Sequence, residues 1–258
     1  MIVMDLEQLQ ANIAAKRPIE DASLSGVDWT YLDCEDATFT GCLIDRGQFS
    51  NVILAGAKFS RCQLPACRFS RSDLSDAEFQ ECGFAVRDDE PAGGTFVFSD
   101  LRRAKFTRCD LSLGRFERSD LFAVEMDQCN LRGARFHKAD FSHAYSRKLV
   151  VTRATFRGCN LEFADLAEAR LAECDFTESR FREADLTAVD FTDAVLRDGD
   201  LFRAELAGAK LEGADLRGAE LSGLNLLNLA SFARMKITQS QQHGLLQGVG
   251  IDVYPEPP

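Results

Sequence analysis

A period of five residues runs through most of this chain, and it constrains the fold more than any other feature. The stretches Asp73-Leu74-Ser75-Asp76-Ala77, Asp185-Leu186-Thr187-Ala188-Val189 and Asp215-Leu216-Arg217-Gly218-Ala219 display it. With the large apolar residue as the centre of each unit, centres recur every fifth residue from Phe39 to Phe84. After a break they recur from Phe96 to Leu226. Of these 37 positions, 36 are Phe, Leu, Ile, Val or Met, and Ser146 is the exception. Neither the helix period of 3.6 nor the strand period of 2 produces such a pattern.

The residue two before each centre is usually small: Ala37, Cys42, Gly47, Ala57, Cys62, Cys67, and later Cys109, Ala134, Cys159 and Ala214. One large and one small inward position per five residues fit a chain that turns a corner every five residues. Four corners close a square coil of about twenty residues, and stacked coils pair as parallel strands roughly 4.8 Å apart. The expected fold is therefore all-β, a quadrilateral parallel β-helix of about nine coils, on the order of 45 Å long at that spacing. The core use of Phe explains why there are 20 Phe but one Trp and three Tyr. Eight of the nine Cys, all but Cys34, occupy the small inward slot. There Cys serves as a small buried hydrophobe rather than a redox or metal group.

Twelve residues separate Phe84 from Phe96, either two units plus two residues or one unit plus seven. A seven-residue insertion puts Phe96 on the face of Trp29, Phe49 and Phe69, and counting on by twenties adds Phe116, Phe136, Phe156 and Phe176. That choice places an exposed loop at 85–95, containing Arg87, Asp88, Asp89, Glu90 and Pro91. Between Ser142 and Val150 the units degrade without losing phase. Tyr145, Ser146, Arg147, Lys148 and Leu149 are poor core, so a second loop is expected at 142–150. Residues 1–22 read as an N-terminal extension or cap, with a helix over Asp5–Ala15, and 23–230 as the coil. Residues 231–258 read as a C-terminal cap and dimerisation tail: a helix beginning after Thr238, then a short strand near Val249–Tyr254. An open sheet edge must be covered. The apolar Leu227, Leu229, Phe232, Leu245, Leu246, Ile251, Val253 and Tyr254 are expected to form a cap, a dimer interface, or both.

Chemistry-bearing motifs are absent. There is no P-loop, dinucleotide glycine fingerprint, nucleophile elbow or zinc-protease motif. His137, His143 and His243 have no metal-ligand spacing. No catalytic residue, metal or cofactor is expected, and the chain reads as a non-enzyme. The net charge of −11 opposes free nucleic acid and favours a basic partner. No apolar run approaches the ~18 residues of a membrane span. Met1–Lys16 lacks the pattern of a signal peptide, so a cytoplasmic location is expected. On the residues alone two readings of the acids stand: solubility of the rod, or imitation of a DNA charge stripe.

Three stretches carry a resemblance: ADFSHAYSRKLVVTRATFRGCNL at 139–161, FSDLRRAKFTRCDLSLGRF at 98–116 and MKITQSQQHGLLQGVGIDVYP at 235–255. With the two loops, they resemble the quinolone-resistance (Qnr-type) branch of the pentapeptide-repeat proteins, from about Tyr31 onward. The resemblance implies a right-handed quadrilateral β-helix that dimerises through its C-terminal end. It also implies an acidic, DNA-mimicking rod that binds DNA gyrase and topoisomerase IV and protects them from quinolones. The loops carrying Arg87–Pro91 and Tyr145–Leu149 would contact the enzyme. The other function class consistent with the sequence is a non-catalytic structural or interaction module, an effector or scaffold binding another protein.

Overall fold

The computed structural model describes residues 1–86 and 90–254. The chain winds as a four-sided parallel β-helix in which each five-residue unit contributes one side. Strand pairing joins Ile19 to Phe39, Phe39 to Phe59, Phe59 to Phe79, Phe79 to Phe106, Phe106 to Met126 and Met126 to Phe156. Isolated bridges continue this first face through Asp175, Val195, Asp215 and Lys236. The third face carries Phe49, Phe69, Phe96 and Phe116 in register.

The first-face ladder begins at Ile19, so Leu24, Trp29 and Cys34 are already centres of a coil, and all are buried. Cys34 therefore fills a large central slot. The side chains of the other cysteines point inward as the pattern requires. Cys42, Cys62, Cys82, Cys109, Cys129 and Cys159 form one column on the second face. Each thiol donates to a carbonyl of the preceding coil, at 3.3–3.5 Å, with Ile19, Phe39, Phe59, Phe79, Phe106 and Met126 as acceptors. Burial pushes the Cys34, Cys67 and Cys174 thiols up to about 12. All nine thiols are buried. Native protein should therefore leave DTNB uncoloured, with nine thiols reacting after denaturation; fast labelling of native protein would contradict the burial.

Two aromatic ladders fill opposite sides of the square. On the first face Phe39, Phe59, Phe79 and Phe106 stack at 4.6–4.8 Å. On the third face Phe49 lies 4.6 Å from Trp29 and Phe69 follows at 4.4 Å; Phe96, Phe116 and Phe136 continue at 4.8–5.0 Å. The expectation that Phe156 and Phe176 extend the third face is corrected. They stack on each other at 5.0 Å on the first face, after Met126. The cause is the second loop. The first loop lengthens a coil to 27 residues, as in Phe69 to Phe96, while the second lengthens one to 30, as in Met126 to Phe156. Ten extra residues preserve the five-residue phase but move every later unit two faces onward.

The position before each centre is also structural. Asp73, Asp100, Asp110, Asp120, Asp140, Asp165, Asp175, Asp185 and Asp190 each accept the backbone N–H two residues on, at 2.9–3.2 Å. These Asx turns satisfy a donor at the corner that no coil neighbour reaches. Two residues after the centre the backbone is left-handed in almost every unit, as at Arg61 (φ 51°) and Gly41 (φ 63°). The corner geometry requires it of any residue type, although glycine adopts it at least cost.

Both ends are covered. Strand Ile2–Val3 pairs in parallel with Ala22–Ser23. Helix α1 (Leu6–Ala14) follows, with Asp5 as N-cap accepting Gln8 N–H at 2.9 Å, and its Leu9 is fully buried. At the other end helix α2 (Gln239–Gly248) starts after Thr238. Its Gln241 amide donates to the open-edge carbonyls of Leu216 and Ala219, both at 2.7 Å. The expected strand near 249–254 does not form: Val249 and Gly250 make a turn, and 251–254 carry no regular structure. An edge already closed by a helix leaves that segment no strand to join.

Candidate functional site

Departures from the five-residue rule define the candidate surface. The first loop leaves the coil after Phe84, on the second face, and returns at Thr95 on the third. Val86 and Ala92 close its neck through two backbone hydrogen bonds of 2.7 and 3.3 Å. Gly93 and Gly94 are buried there, and a Cβ on Gly93 would lie 2.4 Å from Ser112 O, so the return strand needs glycine. Glu90 and Pro91 are exposed. Arg87, Asp88 and Asp89 lie outside the described residues.

The second loop is an antiparallel hairpin, Ser142–Ser146 with Leu149–Thr152, leaving the fourth face after Phe141. Ser146, the exception among the centres, is the turn residue. Its hydroxyl accepts Lys148 N–H at 3.3 Å and Leu149 N–H at 3.1 Å. Arg147 and Lys148 form the exposed tip, with Tyr145 62%, Leu149 53% and Val150 58% exposed. The base is held by an aromatic triad that the sequence pattern did not reveal. The His143 ring lies 5.2 Å from Phe122 and 4.7 Å from Tyr145. Phe122, one residue after a centre, would ordinarily be polar; a bulky apolar residue there was the available signal.

The hairpin stands on the most acidic face. Direct coil-to-coil bridges stack Asp73, Asp100, Asp120 and Asp140. With Asp33, Glu35, Asp36, Asp76, Glu173, Asp190, Asp193 and Glu212 this side carries twelve carboxylates, against Arg102, Arg103, Arg170, Lys210 and Arg234. Burial raises the Asp120 carboxyl above its usual range, and the neighbouring Asp100 and Asp140 add to the effect. Arg102 pairs with Asp100 and lies 3.7 Å from Asp120, while Arg103 pairs with Asp76 at 2.7 Å. Four stacked carboxylates against the Arg102 guanidinium leave the column net negative.

At the C-terminal end the apolar residues divide. Leu245 is 5% exposed and packs into the core, on the cap side of the expectation rather than on an open surface. Leu229 is partly buried against the core and Leu246 is half-buried. Leu227, Phe232, Ile251, Val253 and Tyr254 are exposed, by 38–81%.

Among the described residues no group of His, Cys, Asp and Glu could hold a metal ion, and no helix is long and apolar enough to cross a membrane. Fold and surface together define an acidic, four-sided β-solenoid that presents two loops from a closed core. The chain belongs to the pentapeptide-repeat family: that family's model matches in eight copies, over residues 53–83, 99–137, 115–145, 159–198 and 200–229. Its structure is similar to a trypsin-treated form of QnrB1, a plasmid-mediated fluoroquinolone resistance protein. The two share 26% identity over 83% of this chain and 99% of that one, with a TM-score of 0.75. A second trypsin-treated QnrB1 form matches at 26% identity over 87% and 99%, with a TM-score of 0.69. HetL of Nostoc sp. strain PCC 7120, a pentapeptide repeat protein involved in heterocyst differentiation regulation, shares the fold at 20% identity. It covers 90% of this chain and 94% of its own, with a TM-score of 0.57. No curated protein sequence matches the chain.

Proposed function

We propose that this protein acts by binding, as an acidic DNA-like rod that occupies a type II topoisomerase, DNA gyrase or topoisomerase IV, and protects it from quinolones. The observation that carries the reading is the hairpin of Ser142–Thr152 standing on the acidic fourth face of a Qnr-like solenoid. Duplex DNA presents one charge per ~1.7 Å of axis. The Asp column presents one per coil, roughly every 4.8 Å, sparser but linear. Such a field attracts a basic DNA-binding saddle at long range. It does not select among DNA-binding enzymes, and selection falls to the protruding loops. The described residues of the first loop, Glu90 and Pro91, and the hairpin residues Tyr145–Leu149 are the contacts we assign to the enzyme. The test is a gyrase supercoiling assay with ciprofloxacin. Added protein should restore supercoiling at drug levels that otherwise abolish it; no restoration by intact, folded protein would end the proposal.

The exposed Leu227, Phe232, Ile251, Val253 and Tyr254 form the surface we assign to a C-terminal homodimer. Sedimentation at micromolar concentration should give about twice the 28.6 kDa chain mass. A monomer, unchanged on removal of residues 249–258, would overturn it.

A further inference from the structure

The third face departs from the acidity of the molecule. Over four successive coils it displays Arg68, Arg71, Arg115, Arg118, Arg135 and Lys138, all exposed, against one carboxylate, Glu117. Register fixes these cations in two columns. Arg68, Thr95, Arg115 and Arg135 are bridged directly, so Arg115 sits opposite Arg135. On the adjoining corner Arg71, Phe98, Arg118 and Lys138 follow one another, linked through Arg71 N to Val97 O, Phe98 N to Glu117 O and Arg118 N to His137 O, each 3.0 Å.

Like charges directly opposite across a sheet destabilise it. The first face avoids the problem: Lys58 faces Glu78 at 3.6 Å, Lys105 faces Glu125 at 4.0 Å and Arg108 faces Glu81 at 2.6 Å. On the third face Arg115 reaches Glu117 at 3.8 Å. Among the described residues Arg68, Arg71, Arg118, Arg135 and Lys138 have no carboxylate within 4.0 Å. Phe98 is 49% exposed at φ 52°, with the Arg118 guanidinium 5.5 Å from its ring centroid. Tyr31 and Phe163 are exposed rings at the same left-handed corner position, but Phe98 is the one set between the cations of this patch. Six cations against one carboxylate, with an exposed aromatic among them, are the complement of an anionic ligand with an apolar element.

We propose that this face is a second docking surface, which binds a short acidic segment of a partner protein. Four coils span about 15 Å, the length of roughly five extended residues. The patch ends at Asp165 and Glu168 on the next coil of the same face. A stiff duplex, straight over far more than 15 Å, would run onto those carboxylates. A five-residue acidic peptide would not, and an apolar side chain within it would pack on Phe98. The assignment is independent of the topoisomerase reading, since neither the acidic face nor the hairpin enters it.

The test uses the full chain and a fluorescein-labelled peptide of six Glu with one central Phe, measured by anisotropy at low salt beside a 20-bp DNA duplex. The parent should bind the peptide and prefer it to the duplex. Arg71→Glu/Arg118→Glu/Lys138→Glu should weaken peptide binding at least tenfold. Arg17→Glu/Arg61→Glu/Lys236→Glu, the same charge change away from the patch, should weaken it less than threefold. Equal loss in both variants, preference for the duplex, or no peptide binding by the parent would each overturn the proposal. A second readout needs no ligand. Arg118→Glu places a carboxylate beside Lys138 in its column and should hold or raise the melting temperature; a fall of several degrees would refute repulsion between these cations.

Discussion

Excising residues 142–151 should leave the protein folded and unable to protect gyrase. The cut is defined by the register. It joins Phe141 to Thr152 and yields the unit Thr152-Arg153-Ala154-Thr155-Phe156, with Ala154 in the small slot and Phe156 as the next centre. Asp140, which now accepts Ser142 N–H at 2.9 Å, would accept the N–H of Thr152 instead. The thirty-residue step from Met126 to Phe156 would shrink to twenty. No fully buried residue is removed: Ser142, His143 and Val151 are half-buried, and Ala144 to Val150 are exposed. The melting temperature should therefore move little. Activity should change greatly, because the excised segment holds Tyr145, Arg147, Lys148 and Leu149, the protruding groups of the acidic face. Contact residues of this kind contribute 2 kcal/mol or more each when they are hot spots. Loss of one such contact weakens binding by about thirtyfold. Weak, salt-sensitive attraction from the Asp column should survive. If the excised protein protects gyrase as well as the parent, the rod alone is sufficient and the hairpin has no part in the function.

The second large effect is in the core. Phe116→Ala should destabilise the protein by about 3–5 kcal/mol. Its ring lies between Phe96 at 5.0 Å and Phe136 at 4.8 Å, nearly parallel to both. Removal leaves a cavity with aromatic walls above and below, and stacked coils locked by backbone ladders cannot close it. For a chain of this size the melting temperature should fall on the order of 10 °C. Phe98→Ala, on the same coil face but solvent-exposed, should cost less than ~1 kcal/mol. A Phe116 effect as small as that would mean the ladder is not a packed core.

Much of this protein was legible in its sequence, because the fold repeats a local rule. One large and one small inward residue per five dictate the corner, and four corners dictate the coil. The seven-residue loop was placed correctly for the same reason. An insertion that is not a multiple of five breaks the phase, and of the two ways to restore it the seven-residue one continues the aromatic ladder from Phe69 to Phe96, the pairing observed.

What the sequence left open follows from that rule as well. A ten-residue insertion leaves the phase of five intact, so the degraded units at 142–150 report a loop but not that Phe156 and Phe176 have moved to the first face. Only inter-coil hydrogen bonding, which has a period near twenty, registers the shift. The role of the Asp before each centre was hidden for a related reason. Charge counting assigned these residues to solvent, while each carboxylate also closes a turn by accepting the backbone N–H two residues on. The segregation of charge, acidic on the fourth face and cationic on the middle of the third, needs a residue's face as well as its unit. The five-residue period fixes which side chains point inward. The side to which an outward charge belongs is decided by the coil count and by every insertion before it, and that is a property of the stacked solenoid alone.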